Sequence, residues 1–134
     1  MEYGTDEPVG AIDLTDDLRA LVDVSGIRNG VLTAFLQHST AALAIASRRE
    51  GVIHEILSAV MSAYPEERVR QASRRVSRDP RVMVAYTLSA TLGTSVHVPV
   101  RNGELALGEW QAVYLIELNG PRDYRRVTVT ILGD

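Results

Sequence analysis

Apolar residues along this chain recur at two periods, one helical and one extended, and the two fall in different regions. Leu14, Leu18, Leu21 and Val22 repeat at helical spacing. Thr15 stands at the head of that run as an N-cap, Asp16 and Asp17 complement the positive end of the helix dipole, and Gly26 supplies a stop. Asn29-Gly30 is a tight-turn signal, and Val31 to Gln37 reads as the strand that follows it. Ala41 to Ala46 fits either a helix, by its alanines, or a second strand, by its position after Ser39-Thr40. Val52, Ile53, Ile56, Leu57, Val60 and Met61 form an i, i+3, i+4, i+7 stripe that predicts a helix within Arg49–Tyr64, closed by Pro65. Segment 66–81 carries few apolar residues and reads as surface; Met83 to Leu92 follows, with Gly93 as a helix C-cap.

The last third of the chain alternates instead. Val96, Val98 and Val100 share one side of a strand, and Asn102-Gly103 turns it into a hairpin with Glu104–Leu107. Ala112 to Leu118 is apolar at nearly every position, the pattern of a central strand covered on both faces. Asn119-Gly120-Pro121-Arg122 turns the chain again, and Arg126 to Leu132 is the last strand. Helices early and strands late predict an α+β fold, layered, with a mostly antiparallel sheet and helices packed on one face. Residues 1–12, broken by glycine, proline and acidic side chains, read as a loose arm ahead of a single domain spanning 13–134. A strand apolar on both faces in so small a domain also suggests an oligomer that covers the second face.

Composition changes this picture little. At 134 residues the chain has the size of one domain, and 46% apolar residues is ordinary for a folded protein. Cysteine is absent, which removes disulfides and thiolate metal sites and fits a cytoplasmic location. The acidic N-terminal stretch has the character of neither a signal nor a transit peptide. No apolar run approaches the ~20 residues that cross a bilayer, so no membrane partner is expected. All 14 basic residues are arginine, and Arg68, Arg70, Arg74, Arg75, Arg78 and Arg81 crowd one segment. A net charge of −3 and the lack of interleaved aromatics argue against nucleic acid and for a solvated or subunit-contacting face there.

Three segments carry a resemblance. Gln37-His38-Ser39-Thr40-Ala41-Ala42-Leu43, Leu92-Gly93-Thr94-Ser95-Val96-His97-Val98-Pro99-Val100 and Leu107-Gly108-Glu109-Trp110-Gln111 are similar, in order and spacing, to successive signatures of the YjbQ-like (secondary thiamine-phosphate synthase) family. The hairpin Arg101 to Leu105 and the tail from Gly120 to Gly133 fit the same register, so the resemblance covers roughly residues 12–134. It implies an α/β layered fold, a homotrimer, and an activity that joins a pyrimidine pyrophosphate to a thiazole phosphate. The departures concern the site. Where the family has an Asn-Glu-Asn run this chain has Ala46-Ser47-Arg48, and no histidine follows Tyr64. Tyr86 stands at a histidine position, and Glu109 replaces a threonine. The family's first strand also reads as degenerate or missing.

His38 remains as the catalytic candidate, an acid, base or ligand by chemistry. Ser39, Thr40, Thr94, Ser95, Trp110, Gln111 and Arg122 are the substrate-binding candidates. Gly93-Thr94-Ser95 suggests an anion-binding nest of backbone amides and hydroxyls. Trp110 offers an indole face to a heterocycle, and Arg122 a bidentate contact to phosphate. His54 reads as a surface residue, and His97 points away from the face of Val96 and Val98. No metal and no cofactor are expected, since zinc normally takes three or four protein ligands and the matching positions retain only His38. Two functions follow. One is a homotrimer with a degenerate site that retains at most a pocket for a phosphorylated small molecule. The other is an active transferase of the family type.

Overall fold

Two antiparallel sheets and a layer of helices are stacked in a computed structural model that describes residues 1–134. In chain order the elements are β1 (Glu2–Thr5), β2 (Gly10–Asp13), α1 (Thr15–Ser25), β3 (Gly30–Leu36), β4 (Ala41–Ser47), α2 (Val52–Ser62), α3 (Glu66–Val76), α4 (Pro80–Leu92), β5 (Ser95–Arg101), β6 (Glu104–Leu105), β7 (Gln111–Glu117) and β8 (Arg122–Gly133). The large sheet has the order β1-β8-β3-β5-β6 and the small one β2-β7-β4.

The alternation of side chains along β7 explains the stacking. Val113 and Leu115 point into a core shared with Leu32, Ala34 and Leu36 of β3, the valines of β5, and Leu14, Leu18 and Val22 of α1. Ala112, Tyr114, Ile116 and Leu118 point the other way, into a second core with Ile53 and Leu57 of α2 and Ala85 and Leu88 of α4. The result is large sheet, small sheet, helices, with apolar contacts in both gaps. Burying each leucine or isoleucine there contributes about 1.5–3 kcal/mol relative to exposure. Both faces of β7 are thus covered within one chain. The expectation that its second face needs another subunit is corrected: α2 and α4 cover it.

Local chemistry sets the joints. Asn102 and Gly103 both take positive φ, 53° and 81°, the backbone of the two-residue turn that matches strand twist in the β5–β6 hairpin. Gly30 has no room for a side chain, because a Cβ there would lie 2.0 Å from the Leu132 carbonyl oxygen across the β3–β8 ladder. Pro80 opens α4 after Asp79, whose carboxylate accepts the Arg81 N–H at 2.8 Å. In α1 the cap differs from the expectation: Asp13 accepts the Thr15 N–H, and the Thr15 hydroxyl accepts the Val113 N–H.

Two further readings are corrected. Residues 1–12 are not a loose arm: β1 pairs with β8 and β2 with β7, so the N-terminal strand read as degenerate is present. The arginine-rich segment 66–81, exposed as expected, is largely the helix α3.

Candidate functional site

His38, Ser39 and Thr40 lie in the short connection between β3 and β4, and the chain brings three other segments to the same end of the sandwich. The α4–β5 joint closes against it, with the Leu36 N–H donating to the Thr94 carbonyl at 2.8 Å and the Leu43 N–H to the Gly93 carbonyl at 3.0 Å. The end of β7 arrives there with Glu117, which is opposite Ala41 in the ladder. The start of β8 brings Arg122, Arg125 and Arg126.

At the centre is a buried ion pair. Arg125 and Glu117 are each 2% exposed. Arg125 Nε donates to Glu117 Oε1 at 2.9 Å, and its Nη2 bonds Glu117 Oε2, making a two-pronged contact. The same Nη2 also reaches the carbonyl and hydroxyl of Thr40, at 3.2 and 3.0 Å. Glu117 further accepts from the Thr5 hydroxyl and from the N–H groups of Leu118 and Asn119. Burial alone would raise its pKa, but the bonds from Arg125, Thr5 and Asn119 outweigh it and hold the carboxyl below its ordinary value. Arg125 therefore braces Thr40, and Glu117 is occupied on both oxygens.

His38 is fixed by the next residue of β8. Its Nε2 accepts the Arg126 backbone N–H at 2.8 Å. A backbone amide can only donate, so the imidazole is neutral with its proton on Nδ1. Burial, and then the positive charge of Arg125 and Arg126, lower its pKa against a smaller opposing effect of Glu117. Near neutral pH the ring offers one N–H donor and no positive charge. Using Nε2 as a metal ligand or base would cost the bond to Arg126.

The remaining candidates divide by position. Ser39 and Ser95 are exposed and Thr94 half-buried at the His38 end. The Gly93 N–H, expected in an anion nest, caps α4 by donating to Ser89 O at 3.0 Å. The Arg122 guanidinium bonds only the Pro121 carbonyl, at 3.1 Å, and is open to solvent. Trp110 and Gln111 stand at the other end of β7, where Gln111 pairs with Ser47. Gln111 and Glu117 are the two ends of the seven-residue strand β7, about 20 Å apart. There the Gln111 side chain accepts the Gly108 N–H at 2.8 Å, and Arg49 stacks 3.9 Å over the Trp110 ring. One chain does not bring them to His38. His54 lies on the rim of a cleft of about 260 Å³ that Thr5 and Glu117 also line. His97 Nδ1 is 3.2 Å from the Thr33 hydroxyl on the outer face of the large sheet. Within the chain no three His, Asp or Glu side chains converge in a way that could hold a metal ion.

The sandwich of a small sheet between a large one and a helical layer is shared with solved structures. A YbjQ-like protein of unknown function from Sulfolobus solfataricus superposes with a TM-score of 0.85 at 32% identity, covering 100% of this chain and 94% of that one. A hypothetical protein from Aeropyrum pernix superposes at 0.83 with 25% identity, covering 100% and 96%. A UPF0047 protein of Methanothermobacter thermautotrophicus is 34% identical over 96% of this chain and 87% of its own length. One from Archaeoglobus fulgidus is 34% identical over 96% and 95%. The family model described as UPF0047 protein YjbQ-like matches residues 1–134. The chain belongs to the YjbQ family.

Proposed function

We propose that this chain is a binding member of its family, which holds a phosphate-bearing small molecule at the His38 end and acts as a homotrimer. The observation that carries the reading is the convergence of two hydroxyl-bearing joints, Ser39-Thr40 and Thr94-Ser95, through the 2.8 and 3.0 Å bonds that tie residues 93 and 94 to β3 and β4. The His38 Nδ1–H, the free hydroxyls and the open Arg122 guanidinium are all donors, the complement an oxyanion needs. None of these contacts needs a metal. Glu117, the one buried carboxylate at this end, is held by Arg125 and is not free to act as a base. Pyrophosphate departure in a transferase needs a metal ion or dense positive charge, and the neutral His38 supplies neither. A conserved scaffold with a reduced site accounts for both observations.

Thermal unfolding tests it. Inorganic phosphate or a thiazole phosphate at a hundredfold excess over its dissociation constant adds about 2.7 kcal/mol to a folded state that alone binds it. The melting temperature then rises by several degrees. Thr94→Ala with Arg122→Ala abolishes the rise and leaves the unliganded protein folded. No rise with any phosphorylated compound refutes the pocket. Turnover of the pyrimidine pyrophosphate with the thiazole phosphate refutes the binding-only reading.

A further inference from the structure

α3 buries none of its apolar residues; the only buried position along it is Ser73. Neither hydrophobic core includes it, so packing does not explain why the helix carries what it does. Arg70 and Arg74 stand one turn apart, and Arg78 follows at the same interval just beyond the helix end. Ser73 and Ser77 repeat that interval beside them. Residues four apart on a helix are neighbours on one face. These five side chains and Pro80, at the start of α4, line an open groove of about 370 Å³ with no aromatic residue in it.

Positive charge there exceeds its local partners. Arg70 is shared between Glu66 and Glu67 at 3.3 and 3.0 Å. Arg74 meets Glu67 at only 3.7 Å. The Arg78 guanidinium bonds no carboxylate, only the Ser77 carbonyl at 3.1 Å. Asp79, the nearest other acid in sequence, is committed to the N-cap of α4. The carbonyl that α3 would turn toward the groove, Ser73 O, already accepts from the Ser77 and Arg78 amides.

A second, independent feature points to a ligand. Ser73 is 7% exposed. Its Oγ is the one buried side-chain polar atom in the chain without a hydrogen-bond partner. Hydroxyls inside helices usually return to the carbonyl four residues back, as Thr87 does to Met83 and Thr91 to Thr87 in α4. Ser73 does not, which leaves a donor unused beside three guanidiniums.

We propose that the α3–α4 corner is an oxyanion site for a small molecule bearing two or three linked phosphates. A guanidinium presents parallel N–H groups that fit phosphate oxygens. Arg70 and Arg74 stand about 6 Å apart along the helix axis. Arg78, past the left-handed Ser77 that ends α3, adds a third guanidinium to the same groove, a set suited to a chain of phosphates rather than a single one. The groove offers no stacking platform for a base, which favours a phosphate chain over a nucleic acid strand. This site is separate from the His38 end. α4 leads from Pro80 at the corner to Gly93 at the other joint, a helix of 13 residues and so about 20 Å long.

Calorimetric titration of the full chain with inorganic tripolyphosphate at low salt tests the proposal. Arg74→Gln with Arg78→Gln, both exposed, weakens binding at least ~10-fold while melting temperature holds. Thr94→Ala with Arg122→Ala leaves the affinity within about twofold, because a site ~20 Å away adds nearly independently. Ser73→Ala weakens it about fivefold without lowering the melting temperature, since no native bond is lost. Loss in the Thr94 and Arg122 variant alone overturns the corner and leaves the His38 pocket standing. No binding by the wild-type chain, or binding unchanged in the arginine variant, also overturns it. A single-stranded oligonucleotide that binds the corner more tightly than tripolyphosphate would make it a nucleic-acid contact and overturn it as well.

Discussion

Glu117 and Arg125 hold the His38 end together as a charged pair, and their burial makes each dependent on the other. Removing one leaves an uncompensated charge out of water, at a cost of about 3–5 kcal/mol. Glu117→Gln is therefore expected to lower the melting temperature by roughly 10–15 °C for a domain of this size. Glu117→Leu with Arg125→Met, which removes both charges, recovers most of that loss in the same melt. Equal destabilisation by the single and double changes would show that the charges are not what matters. His38 makes a second prediction, on pH. Its pKa is lowered in the folded chain from the ordinary 6.5, so as the pH falls the unfolded chain takes up the proton first. Stability declines as the pH drops through about 6.5 toward the lowered folded value, and it is complete above that range. Glu117, lowered from 4.5, adds a second decline below that value as its folded form is titrated. His38→Gln, which keeps an acceptor within reach of the Arg126 N–H, removes the upper decline and leaves the lower one. Melting curves between about pH 2.5 and 8 read both, and an unchanged upper decline in the variant shows that His38 is not the group that titrates there.

Elements with a local signature were legible in the sequence, and those held only by distant partners were not. The stripe of Ile53 and Leu57, the alternation of Val96, Val98 and Val100, and the Asn102-Gly103 turn all lie where their periods place them. Ala41–Ser47 resolves as a strand because its ladder with β7 overrides the helical preference of alanine. β1 and β2 were missed because Gly4, Pro8 and Gly10 break any local pattern. Their partners Arg126 and Glu117 lie more than a hundred residues on. α3 was missed because its apolar positions are few; pairs of Glu66 and Glu67 with Arg70 and Arg74 support it instead. Among the candidate site residues, His38, Ser39 and Thr40 were singled out through the resemblance, and the Thr94 carbonyl is tied to the end of β3 that precedes them. Glu117 and Arg125 were overlooked, yet a signal existed. A carboxylate inside the apolar run Ala112–Leu118 is almost never buried unpaired, and Arg125 lies eight residues on, in the next strand of the chain. That Trp110 and His38 occupy opposite ends of β7 is a matter of strand register, which spacing in the sequence does not convey.

At the scale of the whole molecule, some apolar surface is left over on the large sheet. With both faces of β7 covered internally, the outer face of the large sheet shows Val31 and Phe35 of β3 and Leu132 of β8, at 36%, 46% and 65% exposure. Val31 and Leu132 are directly paired across the ladder, and Phe35 stands on the same face beyond the Thr33–Thr130 pair. This is the surface we assign to the proposed homotrimer. Sedimentation at about micromolar concentration should give three times the 14.7 kDa of one chain, and Phe35→Glu should release monomers by placing an unpaired charge in the contact. A wild-type species of one chain mass refutes the assembly.

The place of β8 in the large sheet bears on how the chain is made. β8 lies between β1 and β3, and it follows both in chain order. During synthesis those two strands have nothing between them until residues 122–133 leave the ribosome. The small sheet waits only for β7, so it and the helices packed on it can gather earlier. The nascent chain then carries an open strand edge on β3, a template for pairing with the wrong partner. Long separation between paired residues also slows closure. A growing chain stalled before residue 122 would therefore be a half-built sheet with that edge open, and one passing it would close the sheet around β8.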